Sequence, residues 1–297
     1  MFFNTNKLKK KRNITVAGVP EHFNLPWHLA IESGAFQKKG IHLIWKDYHG
    51  GTGAMCKALQ NKETDVALLL TEGAVKDIIN SKHSKIVKIY VKSPLLWGIH
   101  VGKNSTINTI SDLENAKIAI SRFGSGSHLM AKINAFNNKF NPDNLEYEII
   151  KNLDGGIAYI SSNENAYFLW EHFTTKPFVL NNTVKRIATI QTPWSCFVMA
   201  VRNDVLLDNS KAIKTIIKII NKQIKEIEKN KFSTKTIKLF SERYNLRESD
   251  IKEWLSLTKW DSKKGISAKK QQKLLKKLAK FEVISKGKDT ASVFLNL

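Results

Sequence analysis

The segment Ser121–Leu129, with the sequence SRFGSGSHL, contains two glycines, three serines and an arginine directly before an apolar, helical stretch. Small residues at a helix start leave backbone N–H groups unpaired, and these groups attract phosphate, sulfonate or carboxylate. Arg122 would add a charge-assisted hydrogen bond. The alternative is a flexible turn without a ligand. The segment lacks the Gly-Lys-Ser/Thr ending of a nucleotide-binding loop, which argues against nucleotide hydrolysis.

Other polar and glycine residues follow predicted strands. In open parallel sheets, ligands bind beyond the carboxyl ends of the strands, where the next helices begin. Two α/β units with facing loops would gather these strand ends around one cleft. The candidate ligand-binding residues at the strand ends are Glu21, His22, Asn24, Gly51, Thr52, Gly53, Thr71, Glu72, Arg122, Ser125, Gly126, Ser127 and Glu171.

Each residue type also has a purely structural interpretation. Glu72 and Glu171 would bind a ligand amino or ammonium group, or would only stabilise a helix start. The eight histidines show no zinc-binding spacing, and no serine lies in a Gly-x-Ser-x-Gly elbow. We therefore predict no metal, no cofactor and no catalytic residue. Four tryptophans near the predicted strand ends would stack on a flat ligand or pack in the core: Trp27, Trp97, Trp170 and Trp194.

The order of strand-like and helical segments predicts an α/β fold with parallel sheets. A second α/β unit starts with the strand at 117–120, and the strand at 196–202 returns to the first unit. From residue 204 onward the pattern is almost wholly helical, and these helices are expected to pack on the first unit. In the first unit, apolar runs precede helical segments at 14–19, 41–47 and 65–70.

The chain of 297 residues has a formal net charge of +22, with lysines densest at 7–12 and through 211–288. Such a charge attracts polyanions, or reflects a biased composition that places lysine at solvated positions; we favour the second explanation. The sequence has no zinc finger, RNP-type aromatic strand or basic heptad region, so we predict no nucleic-acid partner.

The N-terminal segment has a basic run but no apolar run of signal-peptide length, and no other segment is apolar enough to cross a membrane. We therefore expect no membrane insertion, a cytoplasmic location for the chain as given, and a periplasmic one if a leader has been removed.

Cys56 and Cys196 lack metal-type spacing and are predicted to be buried free thiols. The chain is predicted to be a monomer.

Four stretches resemble type 2 periplasmic-binding-protein-like chains, in the branch of sulfonate, taurine and thiamine-pyrimidine-precursor binders. They are GVPEHFNLPWHLAIESGAFQKKGI, HGGTGAMCKALQNKETDVALLLTEG, SRFGSGSHLMA and LWEHFTTKP. The resemblance covers about Ile14 to Glu228. It implies a two-lobed fold with two crossover strands and a helical C-terminal extension. Residues 1–101 and 196–297 would form lobe 1, and residues 102–195 lobe 2.

The resemblance further implies crossovers near His100–Gly102 and Thr192–Val198, with Trp97 and Trp194 flanking a ligand cleft between the lobes. It implies a solute-binding protein that closes on an anionic or zwitterionic small molecule, with heteroaromatic ligands included in that class, and an ABC permease as partner. The alternative is an enzyme of the thiamine-pyrimidine-synthase type in the same cleft. Those enzymes carry a cysteine-rich cluster that is missing here.

Overall fold

The computed structural model describes residues 12–263, 265–285 and 289–297. The basic run at 7–12 lies outside this part of the chain, apart from the backbone of Arg12. Ten strands in the described residues form two separate five-stranded sheets. The first sheet has the order β2 (Ile41–Asp47), β1 (Arg12–Gly18), β3 (Val66–Leu70), β10 (Phe197–Arg202) and β4 (Ser84–Val91).

The second sheet repeats the plan of the first. Within each sheet the three strands from successive strand–helix units are parallel, and the strands that arrive from the other sheet pair antiparallel with them. The predicted return of the strand at 196–202 to the first unit is confirmed, because it forms β10. The second sheet has the order β7 (Tyr147–Ile149), β6 (Lys117–Ile120), β8 (Ala166–Glu171), β5 (Leu96–Gly102) and β9 (Val184–Gln191).

The first crossover between the sheets lies earlier than the sequence indicated. All of β5 pairs with β8 and β9, so the chain leaves the first sheet between Val91 and Leu96. The prediction of a crossover near His100–Gly102 is therefore wrong. Residues 96–102, LWGIHVG, are buried along nearly their whole length, so the sequence gives no local sign of where one sheet ends and the other begins. The return crossing, between Gln191 and Phe197, agrees with the predicted range.

Strand β9 was not predicted from the sequence. Its residues, VKRIATIQ, are mostly only half-buried, because β9 is an edge strand paired on one side with β5. Two of its residues, Lys185 and Arg186, are charged and obscure the apolar alternation that marks a strand.

Helices cover the sheets and form the C-terminal region. Helix α2 starts at Gly51 and α4 at Gly126, so the glycine-rich segments contribute the first helical turns. The helices are α1 (Leu25–Glu32), α2 (Gly51–Gln60), α3 (Thr71–Ser81), α4 (Gly126–Asn138), α5 (Leu153–Ser162), α6 (Lys176–Leu180), α7 (Asn203–Lys229), α8 (Thr234–Tyr244), α9 (Glu248–Leu257) and α10 (Ala268–Lys280).

The predicted helical C-terminal extension is present and packs on the first sheet's side. Trp254 of α9 meets Phe23 with ring centroids 5.1 Å apart, and the Trp260 indole N–H donates to the Phe23 carbonyl at 3.0 Å. Near the C-terminus, Leu295 donates its amide to Ile86 of edge strand β4. Burial of large aromatic side chains thus joins these helices to the part of the fold that contains the first sheet. We call this part, with the C-terminal helices, the first half, and the part that contains the second sheet the second half.

Candidate functional site

A cavity of about 350 Å³ lies where loops and helix starts of both sheets face each other. Its wall includes residues that follow β1, β2, β6 and β8, as the strand-end rule predicts. The structure places nine of the candidate residues in this wall: Glu21, Gly51, Thr52, Trp97, Arg122, Ser125, Gly126, Ser127 and Glu171. Their role in ligand binding stays a prediction.

The start of α4 presents backbone donors to the cavity. Ser125 caps the helix, and its Oγ accepts from the His128 amide at 3.3 Å. Gly126 and Ser127 are the first residues of the helix. Their amides therefore have no hydrogen-bond partner within the helix. The Ser127 Oγ accepts from the Ser121 amide at 3.0 Å, so this buried hydroxyl holds the loop in place. The backbone therefore supplies the free donors.

Arg122 reaches from the second sheet's side to the first turn of α2. A Cβ atom built on Gly53 would overlap the Nη2 and Cζ atoms of Arg122, so the guanidinium packs directly on that glycine. The Thr52 hydroxyl oxygen accepts from the Leu70 amide at 3.0 Å and fixes the start of α2. Two helix N-termini and one guanidinium thus lie at the same cavity, an arrangement that favours a negative charge.

Two carboxyl groups line the cavity from opposite sheets. Glu21 follows β1, and Glu171 ends β8. The Glu171 Oε2 accepts from the Thr174 amide at 2.6 Å and from its hydroxyl at 2.8 Å. Burial, and then repulsion from Glu171, raise the pKa of Glu21 to about 8. Burial raises the pKa of Glu171 to about 7, although the Thr174 hydrogen bonds oppose the shift. The pair favours a positively charged neighbour.

Aromatic side chains complete the wall. Trp97 packs on the start of α4, where a Cβ on Gly126 would lie 2.8 Å from Cη2 of its indole. Trp170 and Phe197 also line the cavity. Trp97 and Phe197 are buried and offer apolar surface for a ligand to contact.

The start of α5 also lines the cavity and is absent from the residues predicted from the sequence. Lys151, Asn152, Leu153 and Asp154 line the cavity, and Asn152 caps the helix by accepting from the Gly155 amide at 2.9 Å. The sequence carried a signal, because the strand-like run LEYEII at 145–150 is followed by a helical pattern near 154–162, and ligands bind where helices begin after strands.

Six candidate residues lie outside the cavity wall, and each has a structural partner. The Arg122 guanidinium packs on Gly53, as described above. Thr71 donates its hydroxyl to the Ser195 carbonyl at 2.6 Å, and Asn24 donates its side-chain amide to the Val19 carbonyl at 2.7 Å. The remaining three are His22, Glu72 and Trp194.

His22 and Glu72 are buried beyond strands of the first sheet and do not line the cavity. The His22 ring packs edge-on against Trp254 at 4.2 Å, and burial lowers its pKa to about 3. Glu72 Oε2 accepts from the Trp194 indole N–H at 2.8 Å, and burial raises the pKa of this carboxyl to about 7. Of the two glutamates proposed to recognise a ligand donor, only Glu171 faces the cavity.

Cys56 and Cys196 are buried free thiols, as predicted. Burial raises the pKa of both groups. Among the residues that the structure describes, no three His, Cys, Asp or Glu side chains are grouped to hold a metal ion. No described helix has the length and apolar character needed to span a membrane.

Comparisons with known proteins agree with this architecture. The family model described as "Ca3427-like PBP" matches residues 97–190. The structure of the conserved CA3427 gene product of Candida albicans, which defines a family with the generic periplasmic binding protein fold, is 26% identical and has a TM-score of 0.84. The alignment covers 94% of this chain and 92% of that chain. No curated protein sequence matches the chain.

Two further structures share the fold at 11% identity. One is the alkanesulfonate-binding protein SsuA from Xanthomonas axonopodis pv. citri bound to MOPS, with a TM-score of 0.75 and coverage of 95% of this chain and 98% of that one. The other is the ligand-binding component of an ABC-type import system from Staphylococcus aureus with zinc bound, with a TM-score of 0.73 and 96% of each chain covered.

These similarities confirm the predicted α/β fold and the resemblance to type 2 periplasmic-binding-protein-like chains. The chain has the periplasmic-binding-protein fold and shares it with binding components of ABC importers.

Proposed function

We propose that this chain, which has the periplasmic-binding-protein fold, binds a small zwitterionic solute by closing two lobes around it. The observation that carries the proposal is the position of the charged groups in the cavity wall. One part of its wall contains the α4 start and Arg122, and another contains the paired carboxyls of Glu21 and Glu171. A ligand with an anionic end and an ammonium end would satisfy both parts at once.

The anionic end would bind to the amides of Gly126 and Ser127 and to the Arg122 guanidinium. A sulfonate or carboxylate accepts such bonds well, since backbone N–H groups and the helix dipole point at it. The ammonium end would lie between Glu21 and Glu171 and relieve their mutual repulsion. Trp97, packed on the α4 start, would cover the apolar part of the ligand.

Three probes that share a two-carbon chain test the proposal: taurine, which carries both charges, ethanesulfonate, which carries only the anion, and ethylamine, which carries only the cation. Taurine should raise the melting temperature most, because a ligand that binds only the folded state stabilises it by mass action. Isothermal titration then gives the three dissociation constants. If ethanesulfonate binds as tightly as taurine, the carboxyl pair has no role in recognition.

Replacing Gly53 by alanine should weaken sulfonate binding without unfolding the protein. The new Cβ would overlap the Arg122 guanidinium, which has to move because it is the flexible end of its side chain. We expect roughly tenfold weaker ethanesulfonate binding, about 1.4 kcal/mol. Alanine in the first turn of a helix carries no intrinsic penalty relative to glycine, so the melting temperature should change little.

A double-mutant cycle provides the control for this effect. In an Arg122→Met background, Gly53→Ala should cause no further loss of ethanesulfonate affinity, because both changes act through the same guanidinium. Additive losses would show that Gly53 acts through the backbone of α2 instead.

We also propose an ABC permease as the macromolecular partner. The support is the shared fold with the ligand-binding component of the Staphylococcus aureus import system. The cellular location, cytoplasmic as given or periplasmic after removal of a leader, stays a prediction. The enzyme alternative gains no support from the two ligand-binding structures compared above, because both are described as binding proteins.

A further inference from the structure

Outside the cavity, one lysine of the second half of the fold contacts two carboxylates of the C-terminal region. The Nζ atom of Lys176, the first residue of α6, lies 2.7 Å from Oδ1 of Asp250 and 2.7 Å from Oε2 of Glu253, both on α9. The Asp250 side chain is 8% exposed and that of Lys176 18%, so solvent screens this pair less than a surface ion pair. Burial alone would lower the pKa of Lys176, but the two carboxylates outweigh it and raise the pKa.

The partner helix belongs to the other half of the molecule. Trp254, one residue after Glu253, packs on His22 and Phe23, which follow β1 of the first sheet. The Phe23 carbonyl in turn accepts from Tyr90 of β4 at 2.7 Å. Helix α9 is therefore fixed to the first half, and its ion pair with Lys176 crosses from one half to the other.

The lysine also lies at the end of the turn that carries the cavity carboxyl. Glu171 accepts two hydrogen bonds from Thr174, and the Thr175 hydroxyl lies 2.9 Å from Nε2 of His100. Arg186 donates to the His172 carbonyl at 2.6 Å. These contacts tie residues 171–176 together, so we expect a displacement of Lys176 to move Glu171 as well.

We propose that Lys176, Asp250 and Glu253 are positioning residues that hold the two halves closed and set the place of Glu171 in the cavity. This inference rests on the proposed function for its effect on ligand affinity. It predicts that the closed arrangement is already substantially populated before a ligand binds, and that ligand affinity depends on an ion pair that lines no part of the cavity.

The direct test measures the distance between the halves without ligand. Spin labels on Lys62→Cys, beyond α2, and Asn137→Cys, on α4, report this distance by pulsed electron paramagnetic resonance, and the native thiols are both buried. In Lys176→Met the distance distribution should broaden or shift to larger values, and Lys176→Arg should restore it. An unchanged distribution in Lys176→Met overturns the proposal, whatever happens to affinity.

The matched control is Arg243→Met, which breaks the ion pair of α8 with Glu32 of α1 and leaves the second sheet untouched. It should not change the distance distribution, although it removes a charge contact from the same C-terminal region. A similar change in both variants would show general loosening of the C-terminal helices and would also overturn the proposal.

Taurine affinity gives the second measurement. If the closed fraction falls to about one tenth in Lys176→Met, the apparent dissociation constant should rise about tenfold. A changed distribution with unchanged taurine affinity would overturn the positioning role. The parent protein is tested first for binding of the three probes. If it binds none of them while Lys176→Met still changes the distance distribution, the proposed function is wrong, but the role of the Lys176 ion pair in holding the halves closed is supported.

Discussion

Arg122→Met should weaken the binding of both ethanesulfonate and taurine by about 10- to 100-fold. A hydrogen bond to a charged group contributes roughly 1.5–3 kcal/mol, and methionine keeps the unbranched stem of the arginine side chain while removing the guanidinium with all its donors. Titration calorimetry of the two probes measures the loss. The melting temperature of the unliganded protein should stay close to that of the parent, because the guanidinium rests on the start of α2 and not in the core.

Lys103→Met is the control for this prediction. It removes the same charge from an exposed residue just after β5, at the opposite end of that strand from Trp97. Its effect on sulfonate affinity should be at most about twofold, since only long-range attraction is lost. Equal losses in the two variants would mean that the high net charge, and not a specific guanidinium, attracts the anion.

Glu171→Gln should weaken taurine binding by about tenfold or more and leave ethanesulfonate binding unchanged or stronger. Glutamine can still accept the two Thr174 hydrogen bonds, so the turn keeps its shape, but it no longer balances an ammonium group. The ratio of the two dissociation constants is the decisive quantity. A parallel loss for both probes would assign Glu171 a structural role.

The same carboxyl pair should make taurine binding depend on pH. The pKa of Glu171 is about 7 and that of Glu21 about 8, so the two groups lose their protons between about pH 6 and about pH 9. An ammonium favours the ionised carboxylates, so taurine affinity should rise with pH over this window, whereas ethanesulfonate affinity should stay level or fall. Glu171→Gln should reduce the rise.

Glu72→Gln provides a matched control for both measurements. Glu72 is another buried carboxyl with a pKa raised to about 7, but its Oε2 accepts from Trp194 and it does not line the cavity. Its replacement should leave taurine affinity and its pH dependence unchanged. If Glu72→Gln shifts the pH profile as Glu171→Gln does, the carboxyl pair is not the source of the dependence.

Much of the fold and part of the site were predictable from local sequence. Apolar runs followed by polar residues or glycine before a helical pattern predicted strands β1, β2, β3 and β6 and the residues after them. This worked because backbone geometry and helix capping are short-range properties. The same reasoning placed Ser125, Gly126 and Ser127 at the start of a helix, where the structure has them.

Tertiary structure alone decided which candidate residues meet. Glu72 and Glu171 look alike in sequence, since each comes where a strand gives way to a helix, yet Glu72 is covered by Trp194 and Glu171 faces the cavity. The partner that covers Glu72 is 122 residues away in the chain. Contacts at that separation leave no local pattern.

The sequence by itself determined the fold class, the helix starts that offer backbone donors, and a set of candidate residues that includes part of the cavity wall. The tertiary structure decided the membership of that wall, the pairing of Glu21 with Glu171, and the ion pair of Lys176 with α9. The physical reason is that capping and periodicity depend on neighbours in the chain. Burial, charge pairing and the resulting pKa values depend on side chains that only folding brings together.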